Sequence, residues 1–261
     1  MSEPDRPLRV AVVGASAGLG RCIGVGLSER GAQVAMLARR RERLADAARE
    51  AGNGAVPVVC DVTDQGSCRR AMSEVVDALG RLDALVYTTG MGILSPLVEM
   101  TADQWAQLFA TNVTGAALIT AAAAPHLSAA GGSAVYLSSL SASYTTPWPR
   151  LGSYAVTKAA LDKLVEAWRV EHPEIGFTRL AVGDSLGGTG DSQTEFNKSW
   201  DPAAFDDAVN FWMEHGYMQG GLVEADHLVQ TVDAILRCGK SSFIPHLTLA
   251  PRPSSAVDDL R

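Results

Sequence analysis

The sequence predicts an α/β fold, a doubly wound parallel sheet of seven strands with helices on both faces, in a single domain. Three observations predict it. Short apolar runs alternate with amphipathic segments along the chain, and near-continuous apolar strands belong to parallel sheets covered on both faces. The first run ends in a glycine-rich turn that opens a helix. No repeat, low-complexity linker or break in composition divides the 261 residues, a length that one α/β domain can reach.

The elements follow in order. Valines make "RVAVVG" (9–14) the first strand, closed by glycine, and a helix runs from Gly18 to Arg30. "GAQVAMLA" (31–38) is the second strand, and the charged amphipathic "RERLADAAREAG" (41–52) the helix after it. "AVPVVCDV" (55–62), the helical "GSCRRAMSEVVDAL" (66–79) and "LDALVYTTG" (82–90) continue the alternation. A long helix spans 101–126, opened by Thr101 with Gln104 in capping-box spacing. "GSAVYLSS" (132–139) is the fifth strand, and the helix over 152–172 ends at Pro173, which cannot continue it. "IGFTRLAVG" (175–183), a helix over 224–238 and "SSFIPHLTLA" (241–250) complete the pattern. Residues 1–8 and 251–261 read as mobile tails around a domain of 9–250.

Composition excludes several function classes. A 47% hydrophobic and 20% charged chain is ordinary for a soluble globular protein. Its net charge of −7 argues against nucleic acid or an anionic membrane surface as partner. No signal peptide is recognisable, and the longest apolar run, "GAALITAAAA", reads as a buried helix, so a cytoplasmic location is expected. Cys22, Cys60, Cys68 and Cys238 have no paired spacing, and the histidines form no metal-ligand set, so no metal is expected.

Ligands of such sheets bind at the carboxyl ends of the strands. After the first strand, Gly14, Gly18 and Gly20 are spaced to let a phosphate approach the backbone and the N-terminus of the following helix, and Gly24 brings that helix close to the sheet. After the second strand, an NAD site would carry a carboxylate for the ribose 2′-hydroxyl. Here Arg39, Arg40 and Arg41 follow Ala38, and a guanidinium grips a 2′-phosphate, so NADP(H) is expected rather than NAD(H). Asp61, ending the third strand, either accepts from an adenine amino group or caps the next helix. Tyr154 and Lys158 lie four residues apart on one helical face, where the ammonium lowers the phenol pKa as general acid–base catalysis requires. Tyr144 has no lysine four residues later.

Taken in order, "GASAGLG" (14–20), "CDV" (60–62), "TNVTG" (111–115), "YLSS" (136–139) and "YAVTK" (154–158) resemble the short-chain dehydrogenase/reductase family, in its compact single-domain branch. The resemblance covers about 9–183 and implies a Rossmann-like sheet in the order 3-2-1-4-5-6-7. It also implies a nicotinamide cofactor held at Gly14, Ser16, Gly18, Leu19, Gly20, Arg39, Arg40, Asp61, Val62, Gly90, Tyr154 and Lys158. The implied catalytic set is Asn112, Ser139, Tyr154 and Lys158, with Asn112 helping to hold a water in the proton relay. Strand register assigns the serine to Ser139, whereas the family's usual serine-to-tyrosine spacing points to Ser141. The implied reaction interconverts a small-molecule carbonyl and a secondary alcohol. The alternatives are an NADP-sensing binding protein, or an epimerase or dehydratase using the cofactor transiently. A homodimer or homotetramer is the expected assembly.

The chain departs from that family at several places. "YTTG" (87–90) stands where Asn-Asn-Ala-Gly is usual, so only Gly90 carries over. Val13 replaces a threonine whose hydroxyl braces the glycine turn, and "VGDSLGGTG" (182–190) replaces a Pro-Gly segment, leaving Thr189 as the candidate contact to the nicotinamide carboxamide. Residues 184–222 read as a lid over the substrate, rich in aromatics (Phe196, Trp200, Phe205, Phe211, Trp212, Tyr217), with Tyr144 and Trp148 as a further wall. The same aromatics would equally pin two small helices to the domain.

Overall fold

The computed structural model describes residues 6–218 and 221–252. Its sheet has seven parallel strands: β1 (Arg9–Val13), β2 (Gln33–Ala38), β3 (Val56–Val59), β4 (Ala84–Tyr87), β5 (Ser133–Ser139), β6 (Gly176–Val182) and β7 (His246–Leu249). Their order is β3-β2-β1-β4-β5-β6-β7, so the chain changes direction between β1 and β4 and leaves a crevice at their carboxyl ends. The helices are α1 (Gly18–Glu29), α2 (Arg41–Ala51), α3 (Gln65–Leu79), α4 (Ala102–Phe109), α5 (Gly115–Ala130), α6 (Gly152–Glu171), α7 (Pro202–Glu214) and α8 (Ala225–Leu236).

Alternate side chains of each strand point to opposite faces, and each face makes its own core. Val13, Leu37, Leu85, Tyr87, Tyr136 and Phe177 pack against α3, α5 and α6. Val12, Met36, Val86, Leu137 and Leu180 pack against α1, α2 and α8. Truncating a wholly buried leucine such as Leu85 to alanine costs about 2–5 kcal/mol, because the cavity left behind collapses only in part.

Thr101 opens α4 with the predicted reciprocal capping box to Gln104. The long helix is not regular: Ala110–Thr114 form a π turn between α4 and α5. Together they make one rod over Ala102–Ala130, long and apolar enough by length and composition to cross a bilayer, which corrects the shorter run expected. In this fold Ala116, Ile119, Ala123 and Leu127 of that rod are buried in the core instead. Residues 1–5 and 253–261 of the expected tails lie outside the described residues. The rest is held: the Leu8 carbonyl accepts from the Gln33 amide at 2.8 Å, and Pro251 lines the crevice.

Candidate active site

The crevice is a cavity of about 1100 Å³, above the roughly 300–1,000 Å³ of a single-ligand pocket. Its floor is the turn after β1. Gly14 sits at φ +94°, and a Cβ there would lie 2.6 Å from the Thr88 hydroxyl. A Cβ on Gly20 would meet the Gly14 carbonyl at 2.4 Å. Glycine is therefore required for α1 to start this close to the strand. The first turn of a helix leaves its N–H groups without intrahelical partners. That of Gly18 is taken by the Gln193 carbonyl at 3.1 Å and that of Arg21 by the Ala17 carbonyl at 3.3 Å. Among the described residues the Leu19 and Gly20 amides have no partner, which leaves them for an anion at the positive end of the helix. Gly24 does bring α1 onto β2, since a Cβ there would lie 2.7 Å from Met36 Cε.

Thr88 supplies the brace that Val13 lacks: its hydroxyl donates to the Val13 carbonyl at 2.7 Å. The signal was the Thr-Thr pair of "YTTG", whose hydroxyls fall beside the turn. The Thr89 hydroxyl is buried next to Gly14 without a protein partner among the described residues, a polar group that a polar ligand would satisfy. At the end of β2, Arg39 and Arg40 line the cavity, and Arg40 Nη2 donates to the Ser16 hydroxyl at 3.0 Å. Asp61 lines it too and accepts from the Thr63 amide and hydroxyl at 3.0 and 2.8 Å. Burial pushes the Asp61 carboxyl up, but those bonds and the Arg39 charge outweigh it and leave it below the ordinary carboxylate range. Asp61 is not the helix cap; Asp64 caps α3, accepting from the Ser67 amide at 3.1 Å. Val62 is buried against Gly115 at the cavity edge. These glycines, free amides, arginines and the Thr89 hydroxyl fit a dinucleotide carrying phosphates.

The other end of the cavity brings Ser139, from the end of β5, to Tyr154 and Lys158 on α6. Lys158 Nζ lies 5.6 Å from the Tyr154 ring centroid and donates to the Leu137 carbonyl at 2.7 Å. Burial pulls its pKa down to about 8, against the Asp162 charge one turn along, which raises it. Burial pushes the Tyr154 phenol up, the Ser139 hydroxyl pulls it down and the Asp184 carboxylate pushes it up again. In the protein alone, therefore, desolvation rather than the Lys158 ammonium governs Tyr154, contrary to the sequence expectation. Ser139 and Ser141 are hydrogen-bonded at 2.9 Å, and the Ser139 oxygen also accepts the Ser141 amide at 3.2 Å.

Asn112 sits in the π turn, fully buried and outside the cavity lining. Its oxygen accepts from the Met91 amide at 2.9 Å, and its nitrogen donates to the Met91 carbonyl and to the Thr157 hydroxyl, both at 2.9 Å. Thr157 in turn donates to the Tyr154 carbonyl at 2.8 Å. Asn112 thus ties the loop after β4, at Met91 next to Gly90, to α6.

The segment after β6 roofs the cavity. Phe196 meets the Tyr154 ring edge-on at 4.9 Å, and Trp148 faces Trp212 at 4.9 Å. The Trp200 indole donates to the Gly92 carbonyl at 2.9 Å and that of Trp212 to the Pro149 carbonyl at 3.0 Å. Phe196, Trp200, Phe205, Trp212 and Tyr217 therefore wall the cavity, and Trp212 also pins α7, whereas Phe211 is exposed and outside the lining. Two expected contacts are misplaced. Thr189 is exposed outside the cavity, because the chain folds back through a Gly187–Gln193 bridge that brings Thr194 to the lining instead. Tyr144 is 46% exposed and turned away to β6, where its hydroxyl accepts from Arg179 at 3.3 Å. Two lining carboxylates had no sequence signal, Asp184 beside Tyr154 and Glu195, which pairs with Arg40 and Arg43.

The family model described as short chain dehydrogenase matches residues 9–195. A short chain dehydrogenase of Pseudocercospora fijiensis is 31% identical over 214 residues, 80% of this chain and 65% of that protein. An 11-beta-hydroxysteroid dehydrogenase A of Sesamum indicum is 35% identical over 180 residues, 67% of this chain and 51% of that protein. The chain thus spans between half and two thirds of the length of these curated relatives. A gluconate 5-dehydrogenase from Burkholderia cenocepacia, solved in complex with NADP and tartrate, superposes with a TM-score of 0.78 at 25% identity, covering 93% of each chain. With the sheet order, the glycine turn and the Ser–Tyr–Lys wall in place, the chain belongs to the short-chain dehydrogenase family of oxidoreductases.

Proposed function

We propose that the protein is an NADP(H)-dependent oxidoreductase that interconverts a carbonyl and a secondary alcohol. The observation that carries this reading is the convergence of Ser139, Tyr154 and Lys158 on one wall of the cavity whose floor is the glycine turn. When bound, the nicotinamide supplies or accepts the hydride. In reduction, Tyr154 gives its proton to the substrate oxygen, and in oxidation it takes the proton from the alcohol. Ser139 orients that oxygen by hydrogen bonding, and Lys158 holds positive charge beside the phenol, favouring the phenolate. Asn112 keeps the loop at Gly90–Met91 and the catalytic helix in register. The aromatic roof of Trp148, Phe196, Trp200 and Trp212 suits a bulky apolar substrate and excludes water. The NADP complexes among related structures and the arginines after β2 both support NADP(H) over NAD(H).

NADPH oxidation across a panel of carbonyl compounds tests the chemistry. Tyr154→Phe is expected to lower kcat by about 10²–10⁴-fold, and equal rates in both proteins would remove Tyr154 from the reaction. Arg39→Asp is expected to weaken NADP⁺ binding by roughly 10–100-fold through loss of a charge-assisted contact, with NAD⁺ binding little changed. An unchanged preference would refute the 2′-phosphate assignment.

A further inference from the structure

Glu195 is carried to the end of β2 from far along the chain, on the strap between β6 and α7. The strap is held there by the Gly187–Gln193 bridge and by the bond from the Gly18 amide to the Gln193 carbonyl. One Glu195 oxygen pairs with Arg40 Nη1 and the other with Arg43 Nη1. Lys198 adds a contact at 3.3 Å. Arg40 keeps its second nitrogen on Ser16, so its guanidinium stands directly over the glycine turn. We propose, on the reading of the site as an NADP(H) site, that Glu195 is a cofactor-selecting residue. Its carboxylate occupies the guanidinium of Arg40, which with Arg39 lines the cavity where a 2′-phosphate would bind, and must be displaced by that phosphate, whereas a free 2′-hydroxyl leaves it in place.

Charge and exposure make that exchange feasible. The Arg40 and Arg43 side chains are each 41% exposed and that of Glu195 is 25% exposed, so these are solvent-screened pairs and weak ones. A phosphate monoester carries about −1.5 to −2 at neutral pH and three strong acceptor oxygens, against the single charge of the carboxylate. The two anions cannot share the arginines without repulsion, so one leaves. Phe196 follows Glu195 directly and rests on Tyr154, so the strap that carries the carboxylate also carries the ring that covers the phenol. Glu195 thereby lowers the affinity for NADP(H) relative to NAD(H).

The test is calorimetric binding to the intact protein of NADP⁺, NAD⁺ and adenosine 2′,5′-bisphosphate, which carries the 2′-phosphate without the nicotinamide. Glu195→Gln is expected to tighten NADP⁺ and the bisphosphate by about tenfold, the worth of two screened pairs, and to leave NAD⁺ within about twofold. Glu195→Asp, which keeps the charge, should stay near the wild type. Unchanged or weaker binding of the bisphosphate to Glu195→Gln would overturn the proposal, showing that Glu195 only props the arginines. A wild type that binds NADP⁺ no better than NAD⁺, with Arg39→Asp without effect, would instead overturn the NADP(H) reading beneath it.

Discussion

Asp184 lies two residues past β6 on the cavity wall, where burial pushes its carboxyl up to about 6. Its charge raises the Tyr154 phenol. On the proposed mechanism Tyr154 is the base in oxidation, so removing that charge should let it lose its proton at lower pH. Asp184→Asn is therefore expected to move the rise of kcat/KM with pH to lower pH, and superimposable profiles would uncouple the two groups. Stability carries a second sign. The folded pKa of Asp184 stands above its usual 3.8, so the folded state binds the proton more tightly and the buried charge costs stability above pH 6. Asp184→Asn should exceed the wild type in unfolding free energy at pH 8 by on the order of 1–2 kcal/mol in urea denaturation, with the gap closing as the pH falls through 6 towards 4. Lys158 runs the other way. Burial holds it near 8, so its ammonium is lost as the pH rises through 8, and Asp162→Asn should bring that loss to lower pH.

Two glycines of α1 separate a structural requirement from a convenience. A methyl on Gly20 would strike the backbone carbonyl of Gly14 at 2.4 Å, while one on Gly24 would meet only the flexible end of Met36 at 2.7 Å. Gly20→Ala should cost roughly 1–3 kcal/mol or more in urea denaturation and disturb the turn, whereas Gly24→Ala should cost less than about 1.5 kcal/mol. Equal costs would mean that the turn is softer than its contacts imply. The turn and the strands were legible in the sequence because each rests on a local run or spacing: near-continuous apolar stretches, glycines before a helix, tyrosine and lysine one turn apart. Thr194 in place of Thr189, the outward path of Tyr144 and the arrival of Glu195 at Arg40 depend on how an aperiodic strap folds back, and no local pattern encodes that. Thr88 was half legible, since its type stood out while its partner, the Val13 carbonyl, is a contact across the sheet. The π turn was hidden for a similar reason, because Asn112 is fixed by the backbone of Met91 and by Thr157 rather than by its neighbours in sequence.

Across the molecule, burial and backbone hydrogen bonding are divided unequally between the sheet and its roof. The central strands β1, β4 and β5 are buried on both faces, while the strap over 187–200 has few ladder bonds and lies largely at the surface. Amides of Ala11 and Val86 should therefore exchange with deuterium on the timescale of global unfolding, and that of Thr194, bonded only to the Leu186 carbonyl, orders of magnitude sooner. Equal protection would make roof and sheet one cooperative unit. The π turn also bears on how this chain can change length. Such a turn absorbs one surplus residue in a helix while the flanks stay in phase; a deletion elsewhere in the rod would swing everything beyond it by about 100° and take Ile119 and Leu127 off the core. Deleting one residue within 110–114 should thus yield a folded protein with an unbroken helix and a misaligned active site, whereas the same deletion within 116–127 should not fold. The place where this rod can lose a residue is thus the place whose Asn112 holds on to α6.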